Sequence, residues 1–126
     1  MAGVFEQINS RHDFQSEVER AQKLCVHFLP LQGNDPVLIS VAKQLDFIHQ
    51  LLIDGREPTR QERKRITMGF IMTRRWEEIH DDMPFYEFKN LILLLDMYFR
   101  FWPSDKLASD PKNERKIDWD GDYYYT

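Results

Sequence analysis

Between Asp35-Pro36 and Gly55 the chain places Leu38, Val41, Ala42, Leu45, Ile48 and Leu52 three or four residues apart. An α-helix, with 3.6 residues per turn, brings that whole set onto one face. Its ends are marked as well. Asp35 is a good N-cap, and Pro36 suits the first helical position because it lacks the amide that would go unpaired there. Gly55, after Asp54, accepts the left-handed backbone that stops a helix. The same period recurs on both sides. Phe14, Val18, Ala21, Leu24, Cys25 and Phe28 define a first helix over about 13–28, closed by Pro30 and Gly33. Thr59-Arg60-Gln61-Glu62 is a capping box, opening a third helix that runs to about residue 79. After the acidic turn His80-Asp81-Asp82, a fourth helix has Pro84 in its first turn and ends at Pro103. Its inward residues are Phe88, Leu91, Ile92, Leu95, Tyr98 and Phe99. No segment reads convincingly as a strand. The expected class is all-α: an antiparallel four-helix bundle over about 13–102, with an irregular acidic and aromatic tail over 103–126. Short links between amphipathic helices favour that up-and-down packing.

One domain accounts for the whole length, since 126 residues enclose one sizeable core and no internal repeat divides them. Hydrophobic residues at 42% and aromatics at 13% set the chain apart from the disordered class. A net charge of -4 suits a partner with a basic cleft and fits nucleic acid poorly. Cys25 has no second cysteine to pair with, and it lies on an apolar stripe, where a small buried thiol is expected rather than a nucleophile. Residues 1–11 have neither the basic start nor the apolar core of a signal peptide. The apolar run 91–102 is interrupted by Asp96 and Arg100 and is too short to span a bilayer. A cytoplasmic protein with no membrane partner is expected.

Three motifs follow one another in the middle of the chain: Ser40-Val41-Ala42-Lys43-Gln44-Leu45-Asp46-Phe47-Ile48, Leu51-Leu52-Ile53-Asp54-Gly55, and Arg65-Ile66-Thr67-Met68-Gly69-Phe70-Ile71. In this order they resemble the small all-helical immunity proteins that bacteria pair with type VI secretion effectors, above all those that guard against NAD(P) glycohydrolase effectors. That family carries a Ser-x-x-Lys-Gln-Leu-x-x-Ile helix ending in Leu-x-Asp, then a helix with Leu/Ile-Thr-x-Gly-x-Ile, then an acidic turn and an aromatic-rich helix. The likeness covers about 34–98, with a residue or so inserted near 57–60. It implies a protein of interbacterial competition that has no catalysis and no cofactor. Such a protein binds its cognate toxin domain stoichiometrically in the producing cell's cytoplasm and covers the active site. A toxin that binds NAD or NADP is expected to have a positively lined pocket, which an acidic, aromatic antagonist would complement. Related helical immunity proteins also guard against other chemistries, including nucleotide pyrophosphoryl transfer and ADP-ribosylation. Within the matched helices, Lys43, Gln44, Asp54, Thr67 and Gly69 are expected to fix the helix pair, Gly69 by allowing close approach.

The contact residues are read from composition. In the third helix Ile66, Gly69, Phe70 and Thr73 share a face, while Met68, Ile71 and Met72 project to the other side. In the fourth, Leu93, Leu94, Met97 and Phe101 stand opposite the main stripe. Either these are central helices with neighbours on two sides, or the second faces form a patch for a toxin or a second copy of the chain. Met68 and Met72 are toxin-binding candidates because flexible thioethers adapt to an irregular surface. The tail offers Asp118, Trp119, Asp120, Asp122, Tyr123, Tyr124 and Tyr125, acids beside the commonest interface anchors. That tail either packs on its own helices or fills a cationic cleft in the toxin.

Two other classes fit less well. A di-iron bundle needs Glu-x-x-His pairs and inward Glu residues; Glu77 and His80 match one pair and Asp46 and His49 nearly match another, but His80 falls in a turn and the fourth helix has no inward Glu. Arg56, Arg60, Arg63, Lys64 and Arg65, with Arg74 and Arg75 farther on, sketch a basic helix, but Glu57 and Glu62 interrupt it. Counterion release needs several uncompensated cations on one face. A homodimeric regulatory or adaptor bundle is the alternative to the immunity reading.

Overall fold

A computed structural model describes residues 8–76 and 83–103. Every regular element among them is helical: α1 (Arg11–Leu31), α2 (Pro36–Ile53), α3 (Arg60–Arg65), α4 (Met68–Arg75) and α5 (Met83–Phe101). The main packing pairs are α1 with α2, α1 with α5, α2 with α4, α4 with α5 and α3 with α5.

The helix ends follow local chemistry where local chemistry is strong. Ser10 caps α1 by accepting the Asp13 amide at 3.0 Å, so this helix starts two residues before the expected Asp13. It also runs past Phe28 and takes in Pro30. A proline so near the end removes one hydrogen bond without ending the helix at once, and Gly33 (φ +66°) and Asn34 (φ +54°) then turn the chain. Asp35 caps α2 through the Val37 amide at 2.9 Å, with Pro36 at the first position. Gly55, at φ +70°, follows its end. Thr59 and Glu62 close their capping box on α3, Glu62 accepting the Thr59 amide and Thr59 accepting that of Glu62.

One core joins these elements. Phe14, Val18, Ala21, Cys25 and Phe28 of α1 meet Leu38, Val41, Leu45, Ile48 and Leu51 of α2, and Phe85, Phe88, Leu91, Ile92, Leu95, Tyr98 and Phe99 of α5 complete it. Leu51, not Leu52, takes the innermost place at the end of α2. At one end Phe28 meets Phe85 edge-on with centroids 5.2 Å apart, and Trp76 meets Phe85 at 5.0 Å. At the other, Phe14 stacks on Tyr98 at 4.4 Å and Arg11 lies 3.8 Å from the Trp102 ring centroid. By length and composition α2 is apolar enough to cross a membrane, with mean hydropathy 1.2 over 18 residues. Here its apolar stripe packs into the protein's own core.

The third helix differs from expectation. It breaks at Ile66-Thr67, and α4 restarts in a new phase. A continuous helix would turn Ile66, Gly69, Phe70 and Thr73 inward together. After the break Met68, Gly69, Met72 and Trp76 are the buried set, Phe70 is 37% exposed and Thr73 is exposed. Met68 and Met72 are therefore core residues at 0% exposure, and the expectation that they face a partner is corrected. Leu93, Leu94, Met97 and Phe101 of α5 are half-buried.

Candidate functional site

The break in α3–α4 frees backbone groups that local sequence does not satisfy. Thr67 is the N-cap of α4 by position, yet its side chain makes no cap bond. Side chains from two other helices supply the partners. Gln44 of α2 accepts the Thr67 amide on Oε1 at 2.8 Å and donates from Nε2 to the Thr67 hydroxyl at 3.3 Å and to the Ser40 hydroxyl at 3.2 Å. Asp96 of α5 accepts the Gly69 amide on Oδ2 at 2.7 Å, acting as a cap brought from elsewhere in the chain. A carboxylate there also complements the positive end of the α4 dipole. Arg100, one turn along α5, donates to the Ile66 carbonyl and reaches Asp96 Oδ1 at 3.4 Å. Arg63 closes the loop by donating to the Arg100 carbonyl at 3.2 Å.

Asp96 is 0% exposed and Arg100 6%, a buried ion pair on the core-facing side of α5. Gly69 is needed at its position because a Cβ there would lie 3.0 Å from the Asp96 Cβ and Oδ2. The expected close approach at Gly69 is thus present, and its neighbour is a carboxylate.

This clasp holds the end of α3 beside α2 and leaves an open recess of about 220 Å3 between them. Ser40, Lys43, Gln44 and Phe47 line it from α2, and Arg65 and Ile66 from the break. Four of the six, Ser40, Lys43, Gln44 and Ile66, belong to the motif pattern read from sequence. Ile66 is buried, Phe47 half-buried, and Lys43 and Arg65 are exposed. Asp54 stands apart as the C-cap of α2, accepting from Gln50 at 3.1 Å.

The remaining candidates distribute as follows. Asp118, Trp119, Asp120, Asp122, Tyr123, Tyr124 and Tyr125 lie outside the described residues, as do Glu77 and His80. Asp46 accepts from Gln22 at 2.8 Å, while His49 bonds Glu19 at 3.0 Å and lowers its carboxyl pKa. Among the described residues no three His, Cys, Asp or Glu side chains converge as a metal site. Several of the basic residues are tied to acids: Arg56 grips Glu62 with two bonds of 2.8 and 2.7 Å, and Arg75 meets Asp35 at 2.9 Å. The Arg56 guanidinium, with help from the Thr59 amide, pulls the Glu62 carboxyl down to about 2. Cys25 is buried with its thiol 3.5 Å from the Leu38 carbonyl; burial, and secondarily the charge of Asp46, push it up to about 11. A second recess, about 430 Å3, lies by Arg11, Gln15, Leu52, Arg56, Glu57 and Trp102.

Phe47 and Arg65 stand inside the motif segments, yet the sequence reading gives them no site role, and it misses Asp96 and Arg100 as the support of the break. The available signal was in α5, where two opposite charges stand four residues apart on the stripe of Ile92, Leu95 and Phe99. Charges on a core-facing stripe are seldom there without a buried partner. Comparison of the chain with protein-family models, with curated proteins and with solved structures gives no match.

Proposed function

We propose that this chain is an immunity protein that binds a cognate toxin domain in the cytoplasm of the producing cell and covers its active site, performing no chemistry itself. The toxin we favour is an NAD(P)-hydrolysing type VI secretion effector. The observation that carries the reading is the convergence of Ser40, Lys43, Gln44 and Ile66 on one surface recess. Those residues belong to the pattern that resembles the immunity family; three come from successive turns of α2 and Ile66 joins them from the break after α3. A set scattered over the fold would support a chance likeness instead. The proposed architecture is an antiparallel four-helix bundle in which α3 and α4 form one broken arm. The cap contacts favour it: Phe28 and Phe85 meet at one end and Phe14 and Tyr98 at the other, so α1 and α5 run in opposite directions. The acidic, aromatic residues 118–126 serve in this reading as a contact arm for a cationic cleft.

The test is co-expression with the toxin domain encoded beside this chain's gene. Restored growth together with restored NAD(P) supports the proposal. Restored growth in a strain whose NAD(P) never fell assigns a toxin of other chemistry, such as a pyrophosphokinase or an ADP-ribosyltransferase. Failure to protect from any adjacent toxin domain, with this chain soluble and abundant, overturns it and leaves a homodimeric adaptor as the next reading.

A further inference from the structure

We propose that the recess between α2 and the α3–α4 break is a seat for an acidic segment of the partner protein, with an apolar side chain of that segment packed on Phe47 and Ile66. The proposal rests on the immunity reading for the partner's identity but not for the chemistry of the seat. That chemistry is one-sided. Lys43 stands on the α2 wall and Arg65 on the opposite one, both exposed. Among the described residues neither has an ion-pair partner, whereas Arg11, Arg20, Arg56 and Arg75 face Glu57, Glu17, Glu62 and Asp35. Acidic residues outnumber basic ones by 21 to 17, so two uncompensated cations flanking one recess are not what a surplus of carboxylates would leave by default.

The other polar groups point the same way. Ser40 accepts from Gln44 Nε2, so its hydroxyl proton is left to donate outward. The Gln44 carbonyl oxygen is already engaged by the Thr67 amide. The recess therefore offers an ammonium, a guanidinium and a hydroxyl, and among the described residues no carboxylate lines it. Donors of this kind suit a carboxylate, which accepts at both oxygens. Size selects the ligand class. A space of about 220 Å3 falls below the roughly 300–1,000 Å3 of small-molecule pockets, and fits one or two side chains better than a dinucleotide.

Lys43 and Arg65 thus complement the proposed acidic tail. One end of the antagonist presents carboxylates to a basic cleft, and the recess presents cations to an acidic segment. Charges of opposite sign at two places fix orientation and exclude wrong partners.

The test uses the 15N-labelled full chain titrated with acetyl-Asp-Phe-Glu-amide, acetyl-Lys-Phe-Lys-amide and inorganic phosphate. The acidic peptide is expected to give saturable amide shifts at Lys43, Gln44, Phe47, Arg65 and Ile66, and the basic peptide none. The double variant Lys43→Glu/Arg65→Glu should weaken the acidic peptide and the toxin domain alike by at least about tenfold. Lys43→Arg should retain both. Melting temperature should be unchanged in the double variant, since both side chains are exposed and unpaired among the described residues. Shifts reproduced by phosphate alone, equal response to the basic peptide, or no saturable response overturn the seat. A toxin that binds the wild type and the double variant equally also overturns it while leaving the immunity reading intact. Peptide binding without protection from any toxin does the reverse.

Discussion

Replacing Asp96 by Ala exposes how much of this fold hangs on one carboxylate. The substitution strips the Gly69 amide of its acceptor at 2.7 Å and takes the Asp96 carboxylate away from the Arg100 guanidinium, which is 6% exposed. A buried amide left unpaired costs about 1–3 kcal/mol. Removing one partner of a buried ion pair costs about 3–5 kcal/mol. The groups touch, so the costs overlap rather than add, and a loss of about 3–5 kcal/mol is expected. Against a typical total of about 5–15 kcal/mol that is a large share. Asp96→Asn keeps an oxygen for the Gly69 amide and loses only the charge, so it should cost less. The assay is urea unfolding of Asp96→Ala, Arg100→Met and the double variant, followed by far-UV circular dichroism. The double variant should cost less than the sum of the singles by about 1–3 kcal/mol, because removing both charges spares each the loss of its partner. A cost below about 1 kcal/mol for Asp96→Ala, or strict additivity of the singles, would refute the clasp as the support of the α3–α4 break.

Gly69→Leu should cost about 1–3 kcal/mol by overpacking, since even the first added carbon would lie 3.0 Å from Asp96; an unchanged melting temperature with lost toxin binding would instead put Gly69 on the interface. Cys25, with its thiol pushed up to about 11 and buried, should resist iodoacetamide at pH 8 in the folded protein and react promptly in urea. Glu62 has its folded pKa depressed to about 2 from an ordinary 4.5, so its stabilisation is complete above about 4.5 and is lost as pH falls through about 2. Acid titrations of the wild type and Glu62→Gln should therefore converge over that window and separate at neutral pH. Deleting residues 118–126 should weaken toxin binding roughly ten- to a thousandfold, as two or so interface anchors at about 2 kcal/mol each imply, with little change in melting temperature; a large drop in melting temperature with affinity intact would mean that the tail packs on its own helices.

Helix identity was legible wherever caps and apolar period agreed. Asp35-Pro36, Gly55 and the Thr59–Glu62 box mark ends that the fold keeps, and most residues of the stripes on α1, α2 and α5 are buried. The break at Ile66-Thr67 was not legible, because no proline or glycine stands there and the apolar period runs through it. Its causes, Gln44, Asp96 and Arg100, lie more than twenty residues away in sequence. Misreading the break also rotates every residue after it. That is why Met68 and Met72 looked outward in sequence and lie in the core. The recess was half legible: its α2 residues share a helical face, but Arg65 and Ile66 join them only after the chain has bent.

The bend has a kinetic consequence. The Thr67 and Gly69 amides sit at the start of a short helix, where fraying is ordinarily easy and deuterium enters early. Here their acceptors are side chains of α2 and α5, so the Thr67 amide opens only when its bond to α2 is lost and the Gly69 amide only when its bond to α5 is lost. Their protection should approach that of the innermost helices, and the wall of the recess should belong to the same cooperative unit as the core. A ligand resting on that wall would then slow exchange far from its own footprint, including along α5, without changing any contact there.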